Sequence, residues 1–333
     1  MSKRAPENLD SAVTAWRRRD FLSAGLSLLA GSSLLTLPKT TVAAGMAGDG
    51  WGAGFGAKGA GVEGLAGGEM QELTVRQVIE RMLADIPGAP FGDTVDTVKS
   101  GSIDTPVKGI VTTMFATDAV IEKTIKLGAN FIIAHEPTFY NHADETGWLK
   151  SDKVYLYKRD LLDTHGIVIW RCHDYLHAHR PDGVFMGALT ALGWLKYYNP
   201  SEPPLLTMPA ITLGDVIKKV KKQLGIEKVK VIGNPLQSCQ RIVLSPGAAG
   251  GRTQIVELQK YRPDLLIVGE LNEWETSEYI RDARYQGEKV SLLVLGHTVS
   301  EEPGLQWMES WLTPKVPEVK VTHIPSGDAF SWA

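Results

Sequence analysis

The chain has 333 residues, 43% of them hydrophobic and 22% charged, with a formal net charge of −3. That is enough apolar material for a buried core in one or two domains, and a pI near 6.3 with no Lys/Arg run beyond the first twenty residues excludes the basic footprint of a nucleic-acid or acidic-membrane binder. A small molecule or a protein is the expected partner, and two cysteines, Cys172 and Cys239, are too few for a disulfide framework.

The first 44 residues read as a twin-arginine signal peptide. Arg18-Arg19-Asp20-Phe21-Leu22 has the RRxFL form, the apolar run from Phe21 to Leu37 is diluted by Gly and Ser, and small residues end at Val42-Ala43-Ala44. The run is short for a bilayer, so no stable membrane insertion is expected after cleavage, and the mature chain is expected in the periplasm or outside the cell. Residues 45–71 are rich in glycine and poor in apolar side chains, the composition of a flexible tether.

A folded domain is predicted from residue 72 onward. "ELTVRQVIERML" carries Val75, Val78, Ile79, Met82 and Leu83 at helical spacing behind a Thr74 cap. "VKGIVTTM", "NFIIAH" and "GIVIWRCH" then read as strands separated by the helices "TDAVIEKTIKLG" and "VYLYKRDLLDTH", and "FMGALTALGW" reads as a further helix. After a linking helix, "TLGDVIKKVKKQLG", the pattern restarts. "RIVLSPGAAGG", "DLLIVGE" and "KVSLLVLGH" supply strands, with helices "TQIVELQKYRP" and "TSEYIRDARYQG" between them. Strands alternating with helices of this length predict an α/β fold of two similar halves, about 72–200 and 205–333, each with a mostly parallel sheet.

The halves repeat in detail. "GANFIIAHE" (128–136) aligns without a gap on "RPDLLIVGE" (262–270), setting Glu136 on Glu270, and the following strands end at His173 and His297. Each half thus offers an acid after one strand and a histidine after the next, where parallel sheets gather functional groups.

The histidines cluster at these strand ends: His135, His173 and His297 follow strands, and His177 and His179 lie in "CHDYLHAHRPDG". His173 and His177, like His297 and Glu301, stand four residues apart, the spacing by which one segment delivers two donors to a metal. Imidazole and carboxylate without thiolate suit zinc, manganese or iron. His142, His165, His179 and His323 are expected to be structural or solvated, with His142 and His179 the first exceptions to consider. The loop "SPGAAGG" reads as a tight turn, with a phosphate cradle as the weaker alternative.

"NFIIAHEPTFYN", "CHDYLHAHRPDGV", "LIVGELNEW" and "VLGHTVSEEPGL", in this order, resemble the Nif-three-like family of dinuclear-metal-centre proteins, often labelled type 2 GTP cyclohydrolase-like, over residues 72–333. The resemblance implies a two-halved α/β fold with a metal site in the cleft between the halves, two divalent ions and a homohexamer. It places ligands at His135, Glu136, His177, His297 and Glu301. Glu136 stands where the family has a His, and His177 where it has an Asp, so the ligand count survives an exchange of types. His173, Asp174 or His142 are additional candidates.

Two such ions suggest hydrolysis of a small-molecule substrate such as a phosphate ester, amide or cyclic compound. Glu270 is then expected to take a proton from water, or else to act as a capping or salt-bridging group at its strand end. A non-catalytic metal carrier or scaffold is the alternative.

Overall fold

The computed structural model describes residues 72–331, so the expected signal peptide and tether lie outside the described residues. In chain order the elements are α1 (Val75–Leu83), β1 (Val98–Ser100), β2 (Ile110–Thr113), α2 (Asp118–Lys126), β3 (Phe131–Ala134), α3 (Lys153–His165), β4 (Val168–Arg171), α4 (Asp174–Ala178), α5 (Gly183–Leu192), β5 (Leu205–Thr212), α6 (Leu213–Leu224), β6 (Lys230–Ile232), β7 (Ser238–Ser245), α7 (Gly251–Tyr261), β8 (Leu265–Val268), α8 (Glu278–Tyr285), β9 (Ser291–Val294), α9 (His297–Leu312) and β10 (Val321–His323). No helix among them is long and apolar enough to cross a membrane.

The helix starts follow from the sequence. Thr74 and Gln77 form a reciprocal capping box at α1, Thr117 accepts from the Val120 amide at α2, and Asp152 accepts from the Val154 and Tyr155 amides at α3. Helix α3 stops where Gly166 adopts φ 60°, a left-handed conformation that costs glycine little.

Two five-stranded sheets result, ordered β1-β4-β3-β2-β10 and β5-β7-β8-β9-β6. β2, β3 and β4 run parallel, as do β7, β8 and β9, and every residue of β2, β3, β4 and β8 is buried. Such continuous apolar runs are what strands covered on both faces require. The duplication is visible in the pairing: an antiparallel edge strand lies beside β4 in one sheet (β1) and beside β9 in the other (β6).

One expectation is corrected. The second half does not keep everything from 205 to 333, because β10 leaves it and pairs in parallel with β2, Val321 opposite Ile110. The cause is α9, whose Leu305, Met308 and Leu312 pack in the first half's core with Val78, Met82 and Ile110, carrying the chain back to the open edge of β2. Pairing there satisfies backbone groups that would otherwise be an exposed edge.

α9 also crosses α5 with backbones touching. A Cβ on Gly304 would stand 2.7 Å from Val184 Cα, and one on Gly187 would run into the backbone of Pro303 and Gly304. Only glycine permits that approach.

Candidate metal centre

The parallel strands of both sheets point their carboxyl ends at one place. Backbone hydrogen bonds continue the ladder past β3, with the His135 amide donating to Thr113 O and the Glu136 amide to Met114 O. This extension fixes the first two candidate ligands. Past β4, the buried Asp96 accepts from the amides of His173 and Tyr175, 2.8 Å each, and so sets the turn that starts α4. Past β9, the chain enters α9 directly, and His297 and Glu301 share a face one turn apart.

Side chains from both halves therefore meet. His297 Nε2 is 3.0 Å from Glu301 Oε2 and 3.3 Å from Glu136 Oε1, and His135 Nε2 is 3.4 Å from Glu301 Oε2. The ring of His135 lies 4.7 Å from that of His173 and 5.1 Å from that of His177, which are 4.9 Å apart. Ligand atoms of His135, His173 and His177, and those of His135, Glu136 and Glu301, form two groups each within 4.8 Å.

All four imidazoles are engaged at the same ring nitrogen. Each Nδ1 is tied outward: His135 to the Cys172 carbonyl at 3.1 Å, His173 to Asp174 Oδ1 at 2.9 Å, His177 to Asp182 Oδ2 at 2.9 Å and His297 to Glu270 Oε2 at 3.4 Å. An acceptor on Nδ1 favours the tautomer that leaves Nε2 as the donor atom for a metal, and Nε2 of His135, His173 and His297 lies within 4 Å of Glu301 or Glu136. His135 Nε2 is moreover a fully buried atom without a hydrogen-bond partner. An orphaned lone pair at the centre of four oriented imidazoles and two carboxylates is what a cation site requires, so the residues fit a metal.

Charge is arranged to match. Burial pushes the Glu136 carboxyl up, but the His297 hydrogen bond and the neighbouring imidazoles outweigh it and bring it down to about 2. Glu301, despite burial, is held well below the usual carboxylate range by His135 and His297. Between those two acids His297 is raised to about 10, the hydrogen bonds and charges of Glu136 and Glu301 overcoming burial. His173 moves the other way, to about 4, because burial and the charges of His135 and His177 exceed the pull of Asp174. Behind Glu136 stands Arg171, fully buried, with Nη2 3.4 Å from Glu136 Oε2 and Nε donating to the His135 carbonyl. Its Nη1 also donates to the carbonyl of His142, and Asp144, paired with Lys99 at 3.2 Å, lies 3.9 Å away. The loop that leaves β3 is thus wrapped around one guanidinium, and Glu136 is left with a single oxygen, Oε1, to offer.

The site residues expected from sequence divide as follows. His135, Glu136, His177, His297 and Glu301 are brought together, and His173, expected only as an additional candidate, joins them. Asp174 turns away: Oδ1 serves the outer nitrogen of His173 and Oδ2 accepts from Thr94 Oγ1 and the Val95 amide. Glu270, 57% exposed, meets the outer nitrogen of His297, so its salt-bridging role is the one with a partner. His142 is exposed, its ring 6.1 Å from that of His173. His179 is packed between Trp307 and Trp311, and His323 between the Thr112 carbonyl and Glu302.

The glycine loop bends at Gly247, where φ is 68°. The Gly247 amide donates to Ser300 Oγ and its carbonyl accepts from the Glu270 amide, while the Glu275 side chain packs against Gly251 at the start of α7. The sequence reading missed Asp96, Arg171 and Asp182. Of these, only Asp182 carried a local signal, as an N-cap ahead of Gly183 that also accepts from the Phe185 amide.

The model of the Duf34/NIF3 (NGG1p interacting factor 3) family matches residues 73–328. A "GTP cyclohydrolase 1 type 2 homolog" of Escherichia coli K12 is 27% identical over 225 residues, covering 66% of this chain and 84% of the relative. Among solved structures, Staphylococcus aureus protein SA1388 superposes with a TM-score of 0.63 at 19% identity, covering 78% of this chain and 99% of that one. A Bacillus cereus protein related to NIF3 gives 0.63 at 15% identity, with 78% and 99% covered. The protein ybgI gives 0.60 at 22% identity, with 76% and 97% covered.

Proposed function

The chain belongs to the Duf34/NIF3 family, and from that premise we propose that it holds two divalent metal ions between its halves and hydrolyses a small-molecule substrate outside the cytoplasm. The observation that carries the reading is the gathering of four imidazoles, each engaged at Nδ1, around Glu136 and Glu301, with Nε2 of His135, His173 and His297 within 4 Å of one or both carboxylates.

His135, Glu136, His173, His177, His297 and Glu301 would hold the ions. When bound, such a pair supplies a nucleophile at neutral pH by acidifying water and polarises a substrate oxygen. The protein's own part is orientation. Cys172 O, Asp174, Asp182 and Glu270 keep the imidazoles in one tautomer, and Arg171 offsets the charge of Glu136 in the interior. Glu270 acts through His297 as a positioning group. It approaches the ring edge opposite Nε2, which leaves the exposed His142 as the nearest side chain free to exchange a proton with a substrate. Half-buried Phe115, whose ring centroid is 6.4 Å from that of His297, supplies an apolar wall. The word cyclohydrolase belongs to the relatives; a chain exported through the twin-arginine route would meet little GTP. Phosphate esters, amides and cyclic compounds are the classes to screen.

Elemental analysis of the purified protein, beside His297→Ala and Glu136→Ala, tests the centre. Near two equivalents in the wild type and a loss in both variants supports it, whereas a metal-free wild type after reconstitution removes it. Turnover of chromogenic phosphate esters and amides by the loaded protein tests hydrolysis, and a loaded protein inert to the whole screen favours a carrier. Export is tested by fractionating cells that express the chain with Arg18 and Arg19 changed to Lys, which should retain it in the cytoplasm. Light scattering on the purified protein tests the hexamer.

A further inference from the structure

We propose that the outer face of α3 is the contact through which two copies of this chain pair about a twofold axis, the two α3 helices lying antiparallel and the axis passing between Leu156 and Tyr157. The inference stands apart from the metal reading. It uses none of the site residues, and its test reads mass where the other reads metal content.

Helix α3 buries a cation and exposes its apolar side chains. Its inward face carries Lys158, 5% exposed, whose Nζ donates to the Thr138 carbonyl at 3.2 Å and lies 4.8 Å from the centre of the Tyr140 ring. Val154, Leu156 and Tyr157 face outward, and Trp148 stands in the turn just before the helix. With Tyr140, these side chains are 47–66% exposed. Residues three and four apart are neighbours on a helix, so Tyr157 adjoins Val154, and Val154 adjoins Lys158 and the Tyr140 ring above it. Burying a lysine while leaving two tyrosines, a tryptophan, a leucine and a valine in water is unfavourable for a chain alone. Aromatic side chains carry about 150–250 Å² each, so the five together leave about 500 Å² open, roughly two thirds of the ~800 Å² that each partner gives to a standard interface.

Charge identifies what covers this face. Lys153 and Asp160 are exposed, and neither forms an ion pair among the described residues. They stand two turns apart on the same stripe as Tyr157, equally far from a point between Leu156 and Tyr157. A twofold axis at that point sets Lys153 of one copy against Asp160 of the other twice over, with Tyr157 packed on Leu156 between the two pairs. Self-complementarity of this kind is what an isologous contact requires. Arg159 and Asp163 pair within the helix at 2.7 Å and close one flank of the stripe. Trp148, beyond the N-terminal end, then reaches the last turn of the other α3. A lipid surface would satisfy the rings and Lys153 but would cover Asp160 without a partner.

The test is sedimentation velocity on the full-length protein over a range of concentrations. The wild type should pair. Asp160→Lys sets lysine against lysine and should weaken the contact by more than about tenfold, because opposed like charges cost more than an exposed pair gains. Lys153→Glu should do the same with two acids. The double exchange Lys153→Glu with Asp160→Lys restores opposite charges and should recover the wild-type mass. Leu156→Cys gives an exposed thiol to a chain whose own two cysteines are buried, and a short bis-maleimide should join it into covalent dimers, whereas Glu288→Cys in the second half should stay unlinked. Unchanged far-ultraviolet circular dichroism separates loss of the contact from misfolding. A wild type of single-chain mass throughout, an assembly whose mass neither charge reversal lowers, or a double exchange as dissociated as the single ones would overturn the proposal. Flotation of a single-chain wild type with anionic vesicles, lost in Trp148→Ser, would overturn it too and give the face to a lipid surface.

Discussion

Glu136 and Glu270 occupy corresponding places after the third strand from one edge of each sheet, yet only one of them is buried. Both reach the same imidazole, Glu136 at Nε2 of His297 and Glu270 at Nδ1, so the duplicated acids bracket a single ring. The difference lies one strand over. β4 ends in Arg171, whose guanidinium lies against Glu136, whereas β9 ends in Val294, and Glu270 remains open to water. Burying a carboxylate requires a buried countercharge, and the first half has one where the second does not. An acid was thereby free to become an inward donor in one half and an outer support in the other.

The largest effect should come from removing that countercharge. Arg171→Met removes the buried guanidinium that lies against Glu136 and Asp144, and breaking such a pair costs about 3–5 kcal/mol, read as a lower midpoint in urea at unchanged slope. A variant as stable as the wild type would mean that burial of Glu136 does not depend on Arg171. Next is the joint between the halves. Gly304→Ala puts a methyl into the backbone of α5, and overpacking of this kind costs about 1–3 kcal/mol, visible as a lower melting temperature.

The comparison extends to a half-buried acid of the second half. Glu257 on α7 is pushed up to about 7 by burial, against the Ser245 hydrogen bond and the charge of Lys260, and its Oε2 has no hydrogen-bond partner. The folded state therefore binds this proton more tightly than the unfolded chain, so stability falls as pH rises from about 4.5 through 7. Glu257→Gln should match the wild type near pH 4 and exceed it by about 1–3 kcal/mol at pH 8; a difference independent of pH would remove the burial argument. The smallest effect is at the exposed acid. Glu270→Gln keeps a hydrogen-bond acceptor for His297, and loss of its charge should weaken metal binding about tenfold, at the low end for an outer partner, with no change in stoichiometry. Loss of a whole equivalent would make Glu270 a ligand.

These residues also mark what could be read from the sequence. The alternation of strands and helices, the Thr74, Thr117 and Asp152 caps and the gathering of His135, Glu136, His297 and Glu301 rest on local periodicity and on strand ends, which the chain displays directly. Arg171 does not, because a lone cation inside "VIWRCH" looks like a strand-end surface residue until the loop 136–144 folds over it. Asp96 is fixed by α4, nearly eighty residues later in the chain. Strands of three residues such as β1, β6 and β10 have too little pattern to see, and β5 hides behind Pro209 and the irregular register between Thr207 and Ile211. His173 was legible as an additional candidate beside His177, but the stacking of its ring on His135 was not, since adjacency of β3 and β4 is a property of the sheet.

The return of β10 to the first sheet has a consequence for synthesis. A ribosome delivers Ile110–Thr113 more than two hundred residues before Val321–His323, so the first sheet waits with an open edge while the second half emerges. Contacts of such long sequence separation form late and cooperatively. The first sheet is consequently complete only after translation has passed residue 323, and a nascent chain halted earlier leaves the outer edge of β2, the neighbour of the strand that leads into His135, unpaired.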